Sequence, residues 1–316
     1  MNEDLTTAAI LLGIIHSGIR LATPYLYAAI GETFSQRSGV LNLGVDGIML
    51  MGAFFGFYTV FQTHNPWLGL LAAGLVGAVM ALILCVVSIT YQAEQGISGI
   101  GLYMFGLGMS SLLFKTMLGT VEGVKGFSEL RFCFGDSFCL ADVPVLGDIF
   151  FSHSLVTYGA FALVPLAWWI LNRTTWGLKI RAVGQNPEAA DSLGVSVNRV
   201  RYASVTVGGV LAGLAGASLS ISLLNIYQEN MTNGMGFIAV ALVYFGSWKP
   251  GGVLLGALLF STVNALQLWV QVLNLNIPSD VAVMLPYLLT ILALALPFRR
   301  ALQPAALTKP FARGEN

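Results

Sequence analysis

Long apolar runs separated by short polar segments dominate the pattern of this chain. Each run has about the 20 residues that an α-helix needs to cross the hydrocarbon core of a membrane. The apolar positions do not alternate strictly with polar ones, as they would in barrel strands, so helices are predicted. About nine spans are predicted, at residues 8–30, 44–61, 66–90, 97–118, 152–171, 202–224, 236–247, 251–272 and 281–297. We therefore predict an all-α membrane protein, a polytopic bundle of about eight to ten transmembrane helices.

Two parts of the pattern depart from simple spans. The apolar run at 236–247 is short and bounded by glycine, and residues 31–43 are semi-polar, so a re-entrant or broken helix is expected at each. A weak internal repeat pairs residues 47–52 and 65–69 with residues 236–241 and 249–252. Transporters are often built from duplicated halves, although chance similarity between glycine-rich helices gives the same pattern.

Composition supports a lipid environment. Hydrophobic residues make up 56% of the chain and charged residues 9%, whereas soluble domains have about 45–50% and about 25%. The 36 glycines, many four residues apart, predict close helix packing. Zero net charge and the lack of a basic block argue against nucleic-acid binding. The acidic start of the chain argues against a cleaved signal peptide and for a retained first helix.

Charge distribution predicts orientation. Basic residues crowd the segment 173–199, the adjoining Arg201 and the tail after residue 298, so both are expected in the cytoplasm. The segment 119–151 carries five carboxylates and is expected outside, and the N-terminus is placed outside by the same count, which one miscounted helix would reverse. Cys133 and Cys139 lie in the outer segment and either form a disulfide there or remain free thiols.

The cytoplasmic segment 184–194 has the features of a short, sharply bounded helix. Asn186 is a favourable N-cap, Pro187 suits the first helical position, and Glu188 lies at the positive end of the helix dipole. Gly194 suits the position after the last turn. A surface helix joined directly to a membrane helix is where a partner could exert force, although an ordinary capped loop has the same spacing.

Three sequence blocks resemble a known family. They are residues 31–53 (GETFSQRSGVLNLGVDGIMLMGA), residues 181–190 (RAVGQNPEAA) and residues 236–251 (GFIAVALVYFGSWKPG). Together they resemble permeases of the branched-chain amino acid and simple-sugar ABC importer superfamily, most closely the nucleoside and simple-sugar subgroup. The resemblance implies a single transmembrane permease domain over residues 1–316, in a bacterial cytoplasmic (inner) membrane, forming half of a translocation pathway.

The resemblance also implies a set of partners. These are an ABC ATPase with two nucleotide sites, a second related permease, most simply as a heterodimer, and an extracytoplasmic substrate-binding protein or lipoprotein. The chain has no phosphate-binding Gly-x-x-x-x-Gly-Lys-Ser/Thr motif, so ATP and Mg²⁺ are expected on the ATPase and no cofactor on this chain, which is not expected to be an enzyme. The family's ATPase-docking loop maps onto Gly184, Asn186, Pro187, Glu188, Ala190, Leu193 and Gly194.

Polar and aromatic residues near the predicted membrane ends are candidates for a solute path. They are Asn42, Phe54, Tyr58, Asn225 and Asn264. No metal site is expected, because the three histidines are widely scattered. A secondary transporter driven by an ion gradient is the main competing hypothesis, and only Asp46 and Glu94 are suitable carboxylates for it. A permease for branched-chain amino acids and a purely structural membrane subunit are two further hypotheses.

Overall fold

The computed structural model describes residues 7–120, 123–130, 133–134, 138–139, 147, 149, 151–272, 284–285, 288, 291 and 303–312. Within these residues the chain forms α1 (Thr7–Arg37), α2 (Val45–Thr63), α3 (Pro66–Cys85), α4 (Gln95–Met117), α5 (Leu155–Arg173), α6 (Thr175–Gln185), α7 (Pro187–Ser192), α8 (Val197–Ser218), α9 (Met235–Phe245) and α10 (Pro250–Val272). Helices α3 and α8 each continue into a π-helical turn, at Val86–Thr90 and Leu219–Leu223. Two short antiparallel strands, β1 (Cys133–Phe134) and β2 (Phe138–Cys139), lie between α4 and α5.

Six helical segments of the described chain are long and apolar enough to cross a membrane. They are Val45–Thr63, Pro66–Thr90, Gln95–Met117, Leu155–Arg173, Val197–Leu223 and Pro250–Val270. Helix α1 is longer, at 31 residues, but carries Arg20, Glu32 and Arg37 and does not reach the same apolarity. The prediction of an all-α polytopic membrane protein is confirmed.

Eight of the predicted spans coincide with helices of the structure, and the ninth, 281–297, lies almost wholly outside the described residues. The main differences concern the two segments predicted to be irregular. Residues 31–37 simply continue α1, so the expected broken element at 31–43 is wrong there, and only the turn after Arg37 is non-helical. In that last part of α1 the Glu32 and Gln36 side chains are buried and hydrogen-bonded to each other, so this polar part of the helix is accommodated within the protein.

The second segment predicted to be irregular, 236–247, is mostly the continuous helix α9, and the break lies just before it. Between the π-helical turn after α8 and the start of α9, residues 224–234 are non-helical. Tyr227 is fully buried against the side chains of Phe54 and Phe57 in the middle of α2, and Thr232 reaches Asp46 at its start. The irregular segment therefore packs along α2 through Tyr227 and Thr232, and α9 is only 11 residues long.

The weak internal repeat is only partly reflected in local geometry. Helix α2 ends at His64 with a left-handed backbone, and α9 is followed by Ser247 and Trp248 in the same conformation; each turn leads into a helix that begins with proline. However, α2 has 19 residues and α9 has 11. A duplicated architecture stays a prediction.

Helix α8 lies at the centre of the bundle, packed against α1, α2 and α3. Glycines allow this contact, as their spacing predicted. A Cβ atom added to Gly213 would overlap the carbonyl oxygen of Ala73, and one added to Gly52 would overlap the backbone of Gly213. Backbones in contact leave no room for a side chain, so α2, α3 and α8 form a tight unit.

The bundle has two distinct ends. At one, which we call the basic end, the turn after α1 meets α6, the start of α8 and residues 303–312. Arg37, Arg181 and Arg201 lie in these elements. At the opposite end, residues 123–130 pair with residues near Ile221 and Asn225, and Ser154 bonds to Ser222.

The tight unit gives a first testable prediction. Gly213→Val should destabilise the protein by about 1–3 kcal/mol, because the new side chain would collide with the backbone of α3 rather than with a movable side chain. Gly108→Ala is the matched control, since nothing lies within 4 Å of a Cβ there. The melting temperature of the detergent-solubilised protein measures both. Equal melting temperatures for the two variants would contradict the packing described.

Candidate functional site

The segment 184–194 forms the short helix predicted for it, with the predicted boundaries. Asn186 adopts an extended backbone, and its side-chain oxygen accepts a hydrogen bond from the Ala189 amide at 3.0 Å. Pro187 occupies the first helical position of α7. Gly194 has φ of +82°, the left-handed conformation that glycine adopts without strain. We call residues 184–194 the coupling segment, after the role that the family resemblance implies for it.

Sequence reasoning missed the helix that precedes the coupling segment. Helix α6 begins after Thr174, whose hydroxyl accepts a hydrogen bond from the Gly177 amide at 3.1 Å. Its buried residues Gly177, Ile180, Val183 and Gly184 fall on one face. This spacing of three and four residues, together with the Thr174 cap, was the signal that could have identified it.

The predicted coupling residues divide into two groups. Gly184 and Ala190 are buried, and Ala190 belongs to the main core. Asn186, Glu188, Leu193 and Gly194 are exposed, Leu193 to 84%. One face of the segment is therefore fixed to the bundle while the other faces away from it.

Gly184 shows how closely the segment is fixed. A Cβ atom at Gly184 would overlap the carbonyl oxygen of Arg37, so the end of α6 rests directly on the end of α1. The Gly184 carbonyl accepts a hydrogen bond from the Ala306 amide at 2.9 Å. The coupling segment thus contacts both the first membrane helix and the C-terminal part of the chain.

The first sequence block, residues 31–53, builds a buried polar network at the basic end. One Glu32 carboxylate oxygen accepts hydrogen bonds from the Gln36 side chain at 3.1 Å and the Asn42 amide at 3.0 Å. The Gln36 side-chain oxygen accepts one from the Trp248 indole at 2.7 Å. Glu32, Gln36 and Trp248 were not predicted as site residues; the signal was a pair of polar residues four apart near the end of α1.

Asp46 joins the first block to the third. Its buried carboxylate accepts hydrogen bonds from the Gly236 amide at 2.7 Å and the Thr232 hydroxyl at 3.1 Å. It therefore caps the N-terminus of α9 from a neighbouring helix. Glu94 similarly caps α4 by accepting from the Gly96 amide at 3.0 Å. Both carboxylates considered for ion coupling have structural hydrogen bonds instead.

The candidate solute-path residues lie in different surroundings. Asn42 lies in the basic-end network, where its side-chain oxygen accepts from the Gly44 amide at 2.8 Å. Phe54 is fully buried and stacks on Tyr58 with 5.9 Å between ring centroids. Asn264 is partly buried on α10. Phe54 is packed as core, which leaves it no free face in this conformation for a nucleobase.

Asn225 lines a polar cavity of about 100 Å³ at the opposite end. Arg20, at the edge of this cavity, donates to the Leu223 carbonyl at 3.0 Å, and Ser154 and Ser222 hydroxyls lie 2.8 Å apart. The full lining is Arg20, Phe127, Glu129, Ser152, His153, Ser154, Thr157, Ser222 and Asn225. Arg20 thus has a hydrogen-bonding partner within the protein, as its charge requires at membrane depth.

The remaining predicted features concern cysteine and metal chemistry. Cys133 and Cys139 are opposite each other in the β1–β2 pair, but their side chains are outside the described part, so a disulfide stays a prediction. Cys85 is a buried free thiol. Among the described residues no group of three His, Cys, Asp or Glu side chains is placed to hold a metal ion.

The roles of Asp46 as a cap and as an ion site predict opposite results. Asp46→Asn retains an oxygen that can accept from the Gly236 amide, so uptake and melting temperature should stay near wild type. Asp46→Ala leaves two buried donors without an acceptor and should cost about 1–3 kcal/mol per donor. Thermal unfolding and solute uptake of both variants are the measurements. Loss of uptake in Asp46→Asn with a normal melting temperature would favour an ion site.

Comparison with known proteins places these features in a family. Residues 14–294 match the family described as the permease component of the branched-chain amino acid transport system. The chain is 36% identical to the guanosine ABC transporter permease protein NupQ of Bacillus subtilis over 97% of its own length and 98% of the relative's.

Two further relatives cover most of the chain. The nucleoside ABC transporter permease protein NupC of Lactococcus lactis is 34% identical, over 93% of this chain and 94% of its own. A putative glucose ABC transporter permease protein, TsgC13 of Haloferax volcanii, is 40% identical, over 83% and 79%. No solved structure matches the chain.

Proposed function

This chain belongs to the family of branched-chain amino acid transport system permeases, and we propose that it forms half of the membrane path of an ATP-driven nucleoside importer. The observation that carries the proposal is the capped coupling segment, fixed to the bundle on one face and exposed on the other. Near full-length similarity to permeases named for guanosine and nucleosides supports the substrate class. A simple sugar is the second candidate, supported by the relative named for glucose.

In the proposed orientation the protein lies in the bacterial cytoplasmic (inner) membrane with its basic end in the cytoplasm. The excess of arginine and lysine in residues 173–201 supports this placement. The C-terminal residues 303–312 then also lie in the cytoplasm, because they pack against the basic end. Residues 119–151 would face the outside, where the polar cavity lies.

The proposed partners follow from the exposed face of the coupling segment. An ABC ATPase would dock there and hydrolyse ATP with Mg²⁺, moving the segment and with it the ends of α1 and α6. A second, related permease would complete the path, and an extracytoplasmic binding protein would deliver the solute. A second guanosine ABC transporter permease protein of Bacillus subtilis, NupP, also matches this chain. Two such permeases, NupP and NupQ, in one organism support a heterodimer.

The ion-gradient hypothesis has less support. Asp46 and Glu94, the carboxylates proposed for it, each accept hydrogen bonds from the first turn of a helix. A carboxylate that must bind and release a cation in every cycle would have to break such a cap each time.

Replacing Asn186-Pro187-Glu188 with Gly-Ser-Gly tests the coupling segment. The change removes the N-cap, the first helical residue and the favourable charge, so α7 should unfold; loss of an N-cap alone costs about 1 kcal/mol. ATP-dependent uptake should fall to background while the amount in the membrane is unchanged. Asn198→Ser, an exposed change at the same end, is the control and should transport normally. Normal uptake by the triple variant would remove the basis for the proposal.

Energy source and substrate are tested together in vesicles containing the permeases, ATPase and binding protein. Uptake of labelled guanosine or uridine should require ATP inside the vesicle and ignore ionophores. Excess unlabelled nucleoside should abolish it and excess glucose should not. Uptake abolished by glucose would select the sugar, and ionophore-sensitive uptake without ATP would overturn ATP-driven transport.

A further inference from the structure

Residues 303–312, which we call the strap, are packed along the basic end rather than hanging free. Pro304, Ala306 and Leu307 are buried, and Leu307 belongs to the main core. Thr308 and Lys309 are exposed. Chain ends are usually poorly ordered unless specific contacts hold them, so the arrangement calls for a cause.

Four hydrogen bonds supply that cause, and each goes to a different part of the bundle. In two of them a backbone amide of the strap donates: Ala306 to the Gly184 carbonyl at 2.9 Å and Thr308 to the Gly39 carbonyl at 3.1 Å. In the other two a side chain of the bundle donates to a strap carbonyl: Arg201 to Lys309 and Gln92 to Phe311, each at 3.1 Å. The strap therefore links the coupling segment to the turn after α1, to α8 and to the turn before α4.

The hydrogen bond from Arg201 is the most unusual of the four. The Arg201 side chain is 1% exposed, and in the described part of the chain it forms no ion pair. Its Nε and one Nη atom are buried without an acceptor there. A buried cation with so few partners is costly, so a purely stabilising role explains it poorly.

The position of Arg201 indicates what it does. It lies in the first turns of α8, the helix at the centre of the tight unit, and its guanidinium lies next to Gly39 in the turn after α1. Through Lys309 it holds the strap, and through Ala306 the strap holds Gly184. The coupling segment is thereby connected to the bundle centre by a path other than the α7–α8 chain itself.

We propose that the strap transmits movement of the coupling segment to α1, α8 and the turn before α4, with Arg201 as the residue that positions it. The proposal rests on the proposed function, because the movement is the one that ATP hydrolysis drives. A segment held at one place would pivot when pushed, whereas one tied through the strap to three elements moves them together. Without the strap, ATP would still be hydrolysed, but less solute would be imported per ATP.

The experiment uses the full complex in vesicles and measures solute imported per ATP hydrolysed. Deleting residues 303–316 and, separately, Arg201→Gln should lower that ratio on the order of tenfold, with the ATPase still co-purifying and still hydrolysing ATP. Arg201→Lys keeps a donor for the Lys309 carbonyl and should recover part of the ratio. Lys309→Ala is the control, because only the backbone of Lys309 takes part, and it should behave as wild type.

Gln92→Ala provides a variant that leaves the interior untouched, since Gln92 is exposed and its side chain, among the described residues, bonds to the strap carbonyl at Phe311 alone. Gln92→Ala should lower the ratio of solute imported to ATP hydrolysed less than the deletion does. It tests the strap proposal if Arg201→Gln does not accumulate in the membrane. A wild-type ratio after the deletion would overturn the proposal. So would loss of ATPase co-purification, which would make the strap a docking surface instead.

The wild-type complex tests the proposed function, whereas the comparison of the variants with the wild type tests the strap proposal. If the protein is not an ATP-driven permease, the wild-type complex itself imports solute without ATP. If only the strap proposal is wrong, the wild type is ATP-driven and the variants match it.

Discussion

In lipid, each backbone amide and carbonyl needs a partner within the protein, and the rest of this structure depends on that constraint. Helices meet it along most of the chain. Where the helix stops inside the bundle, at residues 224–234, other groups take over: the Asn225 carbonyl accepts from the Val124 amide, and Asp46 accepts from the Gly236 amide. The buried Asp46 side chain therefore helps to stabilise the break, and the same hydrogen bonds bring the third sequence block into contact with the first.

The same constraint explains the basic end. Glu32 and Gln36 continue α1 beyond its apolar part because both are hydrogen-bonded. Glu32 accepts from the Asn42 backbone amide in the turn after α1, and Gln36 accepts from the Trp248 indole. Gly184 lets α6 rest on the backbone of Arg37, and the strap covers the remaining carbonyls at Gly39 and Gly184. A short coupling segment of 11 residues is in this way attached to several membrane helices, which suits a part that receives force from another subunit.

Sequence and structure agree most closely where the physical signal is local. The cap at Asn186, the first-turn Pro187 and the left-handed Gly194 are properties of adjacent residues, and all three are seen. They diverge where a residue's partner is distant in the chain. Phe54 was considered for a solute path, but the ring of Tyr227, which is distant in the chain, packs against it. Asp46 was considered for ion coupling, but its partners are Thr232 and Gly236.

The sequence by itself determined the membrane environment, the helical class, most of the spans and the coupling segment, because apolar run length and capping chemistry act over a few residues. Its three blocks also determined the family. Only the tertiary structure decided which side chains are caps, which are core and which line a cavity, since these roles depend on contacts across more than a hundred residues. The strap is the clearest case: nothing local distinguishes residues 303–312 from a free tail, and its ties to Gly184, Gly39 and Arg201 exist only once the bundle has formed.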